Sequence, residues 1–386
     1  MPKIDLVNNK AFCILPFVHL HVNEKNDIKL CCLGDNKGIK KYTKDFDFVN
    51  DNEMNEIREK LLNGERIDHC KNCYEFEDGG ADSSRLRDTI EWQKKLNLES
   101  YEDIDTNLVY YDIRNDNLCN LSCRMCNPQF SSQLEKEYKS IGWFWESEPK
   151  TFGFNSVVDL ETVKKIYVAG GEPSLMPEFR TFLKRALESG KTDIEIRMNT
   201  NATNLNKEYR NLLSKFTNLN IIVSLDGYDK VNQYIRWPAD WETIIENVRG
   251  IKEITPNLAF NVTVSIWNIS SLSKLVYFLE KEFPFCPILL NKVMYPPHQQ
   301  FDTFPNKDIV IDDLKLLTKT NSYVRDNSFK SKVDYYINEM LKSQIEIKNL
   351  ISFFEYNDIL DKSRNIKLKD YIPELEECRK LITKQI

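Results

Sequence analysis

The sequence predicts an α/β protein built around a partial (β/α)6 barrel, with a small cysteine-rich module before the barrel and a helical region after it. Three observations predict this arrangement. Six short apolar segments alternate with helical patterns between residues 108 and 293, and repeated βα units of this length form parallel sheets with right-handed crossovers. Eight of the ten cysteines lie before residue 130. Beyond about residue 305 the pattern is helical and rich in charged residues.

The first 80 residues are predicted to form the cysteine-rich module, which begins with a β-hairpin. Segments 17–22 and 27–33 alternate apolar and polar residues, and the polar residues between them are typical of a turn. A helix is predicted near 52–62. Residues 81–107, which include a polar helix over 83–96, are predicted to connect the module to the barrel.

The barrel is predicted over residues 108–300. Its strands are expected at 108–114, 164–170, 194–199, 220–226, 259–266 and 287–293. Its helices are expected at 129–140, 177–189, 206–216, 240–254 and 271–282. Several strands are continuous apolar runs, which is typical of parallel strands buried on both faces. Six units do not close an eight-fold barrel, so we expect an open barrel with its chemistry at the C-terminal ends of the strands.

A helical extension is predicted over residues 301–386. Its helices are expected at 308–319, 327–342, 345–361 and 373–384.

The overall composition argues against several classes of function. A net charge of −6 and a pI of about 5.6 argue against a nucleic-acid partner, which usually leaves a basic patch. The sequence has no run of ~18 uncharged apolar residues, so no membrane span is predicted. The N-terminus also lacks the apolar segment of a secretory signal, so we expect a cytoplasmic protein. In that reducing compartment, clustered cysteines indicate metal or catalytic sites rather than disulfides.

Three cysteines follow the first predicted barrel strand directly. Cys119, Cys123 and Cys126 have the spacing Cys-x3-Cys-x2-Cys, and three thiolates on one short loop can bind three irons of a [4Fe–4S] cluster. Complete cysteine ligation of that cluster needs four thiolates. A missing fourth ligand leaves one iron open, much as catalytic zinc sites keep an open position. A zinc site is the alternative interpretation of the same spacing.

The segment CNLSCRMC at 119–126 resembles the signature of radical SAM enzymes, and the resemblance covers roughly residues 108–293. It implies a TIM-like partial barrel in which the open iron binds the amino and carboxylate groups of S-adenosylmethionine (SAM). An electron from the reduced cluster then breaks SAM into methionine and a 5′-deoxyadenosyl radical, which abstracts hydrogen from the substrate. The implied activity is that of an oxidoreductase or maturase, and a flavodoxin- or ferredoxin-type protein is the expected reductant.

The resemblance also implies which residues contact SAM, and most of them end predicted strands. They are Gly170, Gly171, Glu172, Pro173, Asn199, Asn201, Ser224, Asp226, Arg236 and Val264. A glycine pair lets the backbone approach a ligand closely, and the resemblance implies that Glu172 binds the SAM amino group. An arginine fork suits a carboxylate, which is the role implied for Arg236. Ser224 is expected at the ribose or carboxylate, and Val264 against the adenine. The family often has glycine where this chain has Ala202.

A second set of cysteines resembles the auxiliary-cluster module called twitch, which is related to SPASM domains. The set is Cys13, Cys31, Cys32, Cys70 and Cys73. The expected ligands are Cys13, Cys70, Cys73 and either Cys31 or Cys32, around an auxiliary [4Fe–4S] cluster. Four thiolates also suit structural zinc, which stays the alternative. In relatives the module commonly follows the barrel, whereas here it precedes it.

The expected substrate class rests only on the kinds of substrate that members of this family usually act on. A peptide or protein substrate is the first expectation, and a carbohydrate or another small metabolite is the alternative. A non-catalytic metal-binding scaffold is the remaining hypothesis, but such a protein should have lost the Gly-Gly-Glu-Pro motif or one cluster cysteine, and this chain has both.

Overall fold

The chain forms two compact units, and each is discontinuous in sequence. The computed structural model describes residues 9–34, 37–79, 82–114, 116–145, 153–319 and 327–380. The first unit comprises Met1–Asn117, Glu148–Met198 and Lys215–Asn218, and the second comprises Leu118–Ser147, Asn199–Ser214 and Leu219–Ile386. The N-terminal segment therefore shares a unit with the first predicted βα units, and the functional boundaries at residues 80, 107 and 300 stay predictions.

The first unit contains a mostly parallel sheet. Its strands are β1 His19–Val22, β2 Asp27–Lys29, β3 Lys40–Lys41, β4 Tyr110–Ile113, β5 Lys165–Val168 and β6 Glu195–Thr200, whose last two residues belong to the second unit. The predicted hairpin is confirmed, because β1 pairs antiparallel with β2 and places His21 opposite Lys29. β1 also pairs in parallel with β4, and parallel pairing continues from β4 to β5 and β6. The hairpin therefore extends the sheet of the βα units.

The second unit contains three parallel strands, β7 Leu219–Ser224, β8 Leu258–Val264 and β9 Ile288–Lys292. β8 is not buried on both faces. Phe260 and Val262 are fully buried, whereas Asn261 and Thr263 between them are only half-buried. Burial alternates along the strand because successive side chains point to opposite faces of the sheet. The polar residues occupy every second position, so one face stays accessible to water.

The described helices connect and cover these strands. They are α1 Leu15–Val18, α2 Asn52–Leu62, α3 Lys71–Asp78, α4 Ser84–Lys95, α5 Ser132–Ser140, α6 Phe154–Val157, α7 Pro177–Glu188, α8 Lys207–Leu213, α9 Lys230–Ile235, α10 Trp241–Ile254, α11 Leu272–Glu282, α12 Lys307–Lys319, α13 Asn327–Lys342, α14 Ile347–Arg364 and α15 Pro373–Glu377. The mostly parallel α/β fold with a helical C-terminal region is confirmed. Within the described ranges, every helix is too short or too polar to cross a lipid bilayer.

Element boundaries follow capping residues. The Asp51 side chain accepts a hydrogen bond from the Met54 N–H and begins α2 at the predicted residue, and Ser83 begins α4 in the same way. Residues 17–18, predicted to open the first strand, instead end α1, which has a proline in its first turn. The helix predicted over 373–384 ends at Glu377, and residues 381–384 lie outside the described part of the chain.

Candidate active site

The three-cysteine loop lies in the second unit, before α5. Its cysteines form no disulfide, with Cys123 buried and Cys119 and Cys126 half-buried. Cys119 and Cys123 are both electrostatic neighbours of Cys126, so the loop brings the three thiols together. Burial raises the pKa of the Cys123 and Cys126 thiols. Thiols of this kind release their protons when they bind a metal, so the donor set fits an iron–sulfur cluster.

A buried arginine within this loop ties it to the C-terminal helices. Arg124 is 0% exposed, and its guanidinium lies 3.6 Å above the centre of the Tyr234 ring. It donates hydrogen bonds to the Tyr234 carbonyl (2.9 Å) and to the Asn357 side chain (3.0 Å). A buried ion pair joins it to Asp361. Every edge of the guanidinium is thus engaged by α9 or α14, which makes the loop rigid.

The loop backbone is also held on both sides. The Ser122 and Arg124 N–H groups donate to the carbonyls of Trp237 and Ile235, at 2.5 and 2.8 Å. Arg364 donates to the Ser122 carbonyl (2.7 Å) and pairs with Glu137 of α5 (2.7 Å). These contacts satisfy buried backbone groups that an irregular loop otherwise leaves unpaired.

The anchoring of the loop by Arg124 was not predicted from the sequence, although one pattern in α14 indicates it. Asn357, Asp361 and Arg364 recur at positions i, i+4 and i+7 of α14 and therefore lie on one face of the helix. They continue the face that carries the buried Leu350, Phe353 and Leu360, and polar residues on such a face indicate a buried polar contact. Their partner was not predictable, because it lies more than two hundred residues earlier in the chain.

Arg236, the predicted partner of the SAM carboxylate, lies beside the loop. It is an electrostatic neighbour of Cys123. Its Nη1 pairs with Asp226 of the second unit, whose other carboxylate oxygen accepts the Thr263 N–H at 2.8 Å. Its Nε is buried and has no hydrogen-bond partner within the described residues. Asp226 therefore orients Arg236, whereas the unsatisfied Nε fits an anionic ligand.

The remaining predicted SAM residues of this unit lie on or after its strands. Ser224 is the last residue of β7 and is half-buried, and Val264 is the last residue of β8 and is fully buried. Asn199 is the penultimate residue of β6 and is half-buried. These positions agree with the expectation that ligand-facing groups follow the C-terminal ends of parallel strands.

Asn201, which is predicted to contact SAM, also contacts the three-cysteine loop, and the sequence did not predict this contact. Its side-chain N–H donates to the Asn120 side chain (3.1 Å) and lies 3.9 Å from the Cys119 sulfur. Its side-chain oxygen accepts from the Thr203 N–H and hydroxyl at 2.9 and 2.7 Å, and Asn120 donates to the Thr203 hydroxyl at 2.8 Å. Asn201 therefore secures the start of the three-cysteine loop.

The turn after Asn201 places an alanine in a conformation that favours glycine. Ala202 is fully buried and has φ 58°, which costs a non-glycine residue roughly 1–2 kcal/mol. We expect Ala202→Gly to change the free energy of unfolding by less than ~1 kcal/mol, because strain relief offsets the lost methyl contacts. Urea denaturation followed by circular dichroism measures this change.

The control is the same substitution at Ala186, which is equally buried but lies within α7. There glycine relieves no strain and weakens the helix, so Ala186→Gly should lower stability by at least ~1 kcal/mol more than Ala202→Gly. Equal losses at the two positions would show that the turn at Ala202 is not strained.

The Gly-Gly-Glu-Pro motif lies in the first unit, after β5. Gly170 and Gly171 have φ values of 81° and 57°, in the left-handed region that other residues rarely adopt, so the turn requires both glycines. Glu172 is 1% exposed, and its Oε1 accepts hydrogen bonds from the Ser174 N–H (3.1 Å) and hydroxyl (2.7 Å). The motif is thus a tight turn that also fixes the orientation of a buried carboxylate.

Four of the five N-terminal cysteines line one cavity in the first unit. They are Cys13, Cys31, Cys70 and Cys73, and the same cavity is lined by His69, Arg85 and Asp88. All four thiols are free. Burial raises the pKa of Cys70 to about 11 and also raises the pKa of Cys13 well above its usual value. The donor set again fits a metal group that ionises buried thiols.

Cys32 does not line this cavity. Cys32 is an exposed residue, and the charged neighbours of its thiol are Asp112, Arg114 and Asp88. The two adjacent cysteines therefore face different surroundings, and only Cys31 joins the other three. Within the described ranges, no three Cys, His, Asp or Glu side chains lie close enough to bind a single metal ion. The thiolates of a [4Fe–4S] cluster bind different irons and are farther apart than the ligands of one ion.

A family model matches part of the chain. Residues 117–275 match the model of the radical SAM superfamily. This span contains the three-cysteine loop, the Gly-Gly-Glu-Pro motif and Arg236. No curated protein sequence matches the chain.

Several solved structures are similar to the chain at low identity. SuiB of Streptococcus suis bound to S-adenosylmethionine is 15% identical over 63% of this chain and 47% of SuiB, with a TM-score of 0.37. The structure of anSMEcpe with bound AdoMet is 15% identical over 55% of this chain and 60% of that one, with a TM-score of 0.40. SuiB bound to the precursor peptide SuiA is 14% identical over 87% of this chain and 60% of SuiB, with a TM-score of 0.34. The chain thus spans about half to three fifths of these proteins.

Proposed function

We propose, on the premise that residues 117–275 form a radical SAM domain, that this enzyme cleaves SAM reductively and abstracts hydrogen from a peptide or protein substrate. One observation supports this most: three cysteines that form no disulfide share one anchored loop beside Arg236, whose Nε is buried and has no partner within the described residues. A [4Fe–4S] cluster bound by these thiolates supplies the electron that breaks the sulfonium bond of SAM. The protein provides position and excludes water.

The residues of the chain have separate roles in this proposal. Cys119, Cys123 and Cys126 bind the cluster. Arg236 donates to the SAM carboxylate through its fork and is oriented by Asp226. Glu172 accepts a hydrogen bond from the SAM amino group. The other residues proposed to contact SAM are Gly170, Gly171, Pro173, Asn199, Asn201, Ser224 and Val264.

The activity is tested by anaerobic reconstitution with iron and sulfide, followed by dithionite and SAM. We expect 5′-deoxyadenosine and methionine in equal amounts. The substrate class is tested in the same reaction by adding either a uniformly deuterated peptide pool or a deuterated pool of small metabolites. Deuterium in 5′-deoxyadenosine from the peptide pool alone supports our proposal. Deuterium from the metabolite pool alone supports the alternative, a carbohydrate or other small metabolite. A flavodoxin- or ferredoxin-type protein is the proposed physiological reductant.

We further propose that Cys13, Cys31, Cys70 and Cys73 bind an auxiliary [4Fe–4S] cluster, because they line one cavity. Two such clusters give about eight irons per chain. Cys31→Ala should remove about half of that iron, whereas Cys32→Ala should leave it unchanged, since Cys32 faces away from the cavity. Iron and zinc are measured by plasma mass spectrometry on the reconstituted protein.

The adjacent cysteines serve as each other's control. Equal iron loss in both variants, or a larger loss in Cys32→Ala, would contradict the ligand assignment. About four irons with one zinc would instead support the structural zinc alternative.

A further inference from the structure

A row of polar side chains crosses the parallel strands of the first unit. The register of β1, β4, β5 and β6 places His21 beside Asp112, Asp112 beside Tyr167, and Tyr167 beside Arg197. Residues in register on parallel strands present their side chains to the same face of the sheet. Ile166, which precedes Tyr167 on β5 and points to the opposite face, is fully buried. The opposite face therefore packs in the core, and the polar row lies on the other.

The preceding row of the same face has its charges paired. It contains Tyr110, Lys165 and Glu195 in register. Lys165 is 2% exposed and pairs with Glu91 (2.6 Å) and Glu195 (3.2 Å). Lys95 of α4 also pairs with Glu195. Each cation here has a carboxylate, so this row holds α4 against the sheet and leaves no charge for a ligand.

The polar row contains one carboxylate, that of Asp112, and both of its oxygens have partners. Asp112 is 1% exposed and accepts two hydrogen bonds from the Arg114 fork, at 2.9 and 3.1 Å. Its second oxygen also lies 2.9 Å from His21 Nδ1. The Arg114 guanidinium lies 5.3 Å from the centre of the Tyr167 ring. Asp112 therefore neutralises Arg114 and fixes it over this ring.

Arg197 approaches the same ring and lacks such a carboxylate. Its guanidinium lies 5.5 Å from the centre of the Tyr167 ring, and the residue is half-buried. In the described part of the chain, no carboxylate forms an ion pair with it. Asp88, which is also a charged neighbour of Cys32, interacts electrostatically with Arg197 but is not within ion-pair distance of it. A half-buried guanidinium pays a desolvation cost that a bound anion offsets.

We propose that Arg197, beside the Tyr167 ring, binds an anionic group of the substrate, either a carboxylate or a phosphate. The guanidinium fork matches both groups, because it donates two parallel hydrogen bonds. That the ligand is the substrate rests on the proposed function, in which chemistry follows the C-terminal ends of these strands. Asp112 and His21 position Arg114, and the aromatic ring keeps the two cations on one surface.

Titration calorimetry tests this site on the reconstituted protein with SAM, at constant ionic strength. The probes are inorganic phosphate, acetate, succinate and citrate. We expect at least one to bind the wild-type protein at one site per chain. Arg197→Gln should weaken that binding by about tenfold or more, the loss expected for a charge-assisted hydrogen bond. Arg197→Lys, which keeps the charge but not the fork, should lose less.

The matched control is Arg87→Gln, because Arg87 is exposed and donates hydrogen bonds to the Asp82 carbonyl and the Ser84 hydroxyl at the start of its own helix. It should bind the probe as the wild type does. Binding of none of the four probes, or equal binding by Arg197→Gln and wild type, would overturn the proposal. SAM cleavage by the wild type is measured in the same preparation. Its failure would contradict the proposed function and leave the anion titration unaffected.

Discussion

Replacing Cys119, Cys123 or Cys126 with alanine should abolish 5′-deoxyadenosine formation. In the proposed ligand set each thiolate binds a different iron of the cluster, and the loop offers no other cysteine to replace it. The loss should be complete rather than partial, because a cluster with two protein ligands is not retained. The measurement is liquid chromatography of the products after anaerobic incubation with dithionite and SAM.

The control for these variants is Cys286→Ala. Cys286 is also a buried, free cysteine of the second unit, but it lies away from the loop and contacts Lys252. This variant should keep the full iron content and the full rate of SAM cleavage. Product formation that persists in all three loop variants would exclude the proposed ligand set.

Removing the charge of Asp361 should destabilise the protein strongly. Asp361→Asn leaves the fully buried Arg124 without its carboxylate and close to a second buried guanidinium, that of Arg364. Breaking a buried ion pair at one partner costs about 3–5 kcal/mol. We also expect less iron to be retained, because Arg124 lies between Cys123 and Cys126, which are two of the proposed cluster ligands. The urea midpoint of unfolding and the iron content measure the two effects.

The same chemical change on the same helix provides the control. Asp358 is 55% exposed and pairs with Arg379 on the surface of α14. Because exposed pairs contribute little, Asp358→Asn should cost less than ~1 kcal/mol and leave the iron content unchanged. If the two variants shifted the urea midpoint equally, Arg124 could not be the anchor of the loop.

Local patterns predicted the elements of this protein well. The helix over 52–62 is confirmed because an aspartate cap and the spacing of apolar residues define it within eleven residues. The six strands from β4 to β9 are likewise confirmed, with ends shifted by one or two residues. The Gly-Gly-Glu-Pro turn agrees with its composition, since only glycine readily adopts two consecutive positive φ values.

Long-range pairing was not predictable from the same patterns. β1 is recognisable as a strand, but nothing near it indicates that it pairs with β4, which lies about ninety residues later. The partners of Arg124 are farther away still. The choice between Cys31 and Cys32 depends on how the backbone turns after β2 ends at Lys29. The spacing of two adjacent cysteines carries no information about which one faces the cavity.

Binding of SAM to the open iron is tested by electron–nuclear double resonance on the dithionite-reduced protein with SAM that carries ¹⁵N in its amino group. The open iron should be coordinated by that nitrogen. We therefore predict a ¹⁵N hyperfine coupling in the wild type and none in Cys123→Ala. A reduced cluster with no ¹⁵N coupling in the wild type would contradict the account, because it would show that SAM does not bind to the iron.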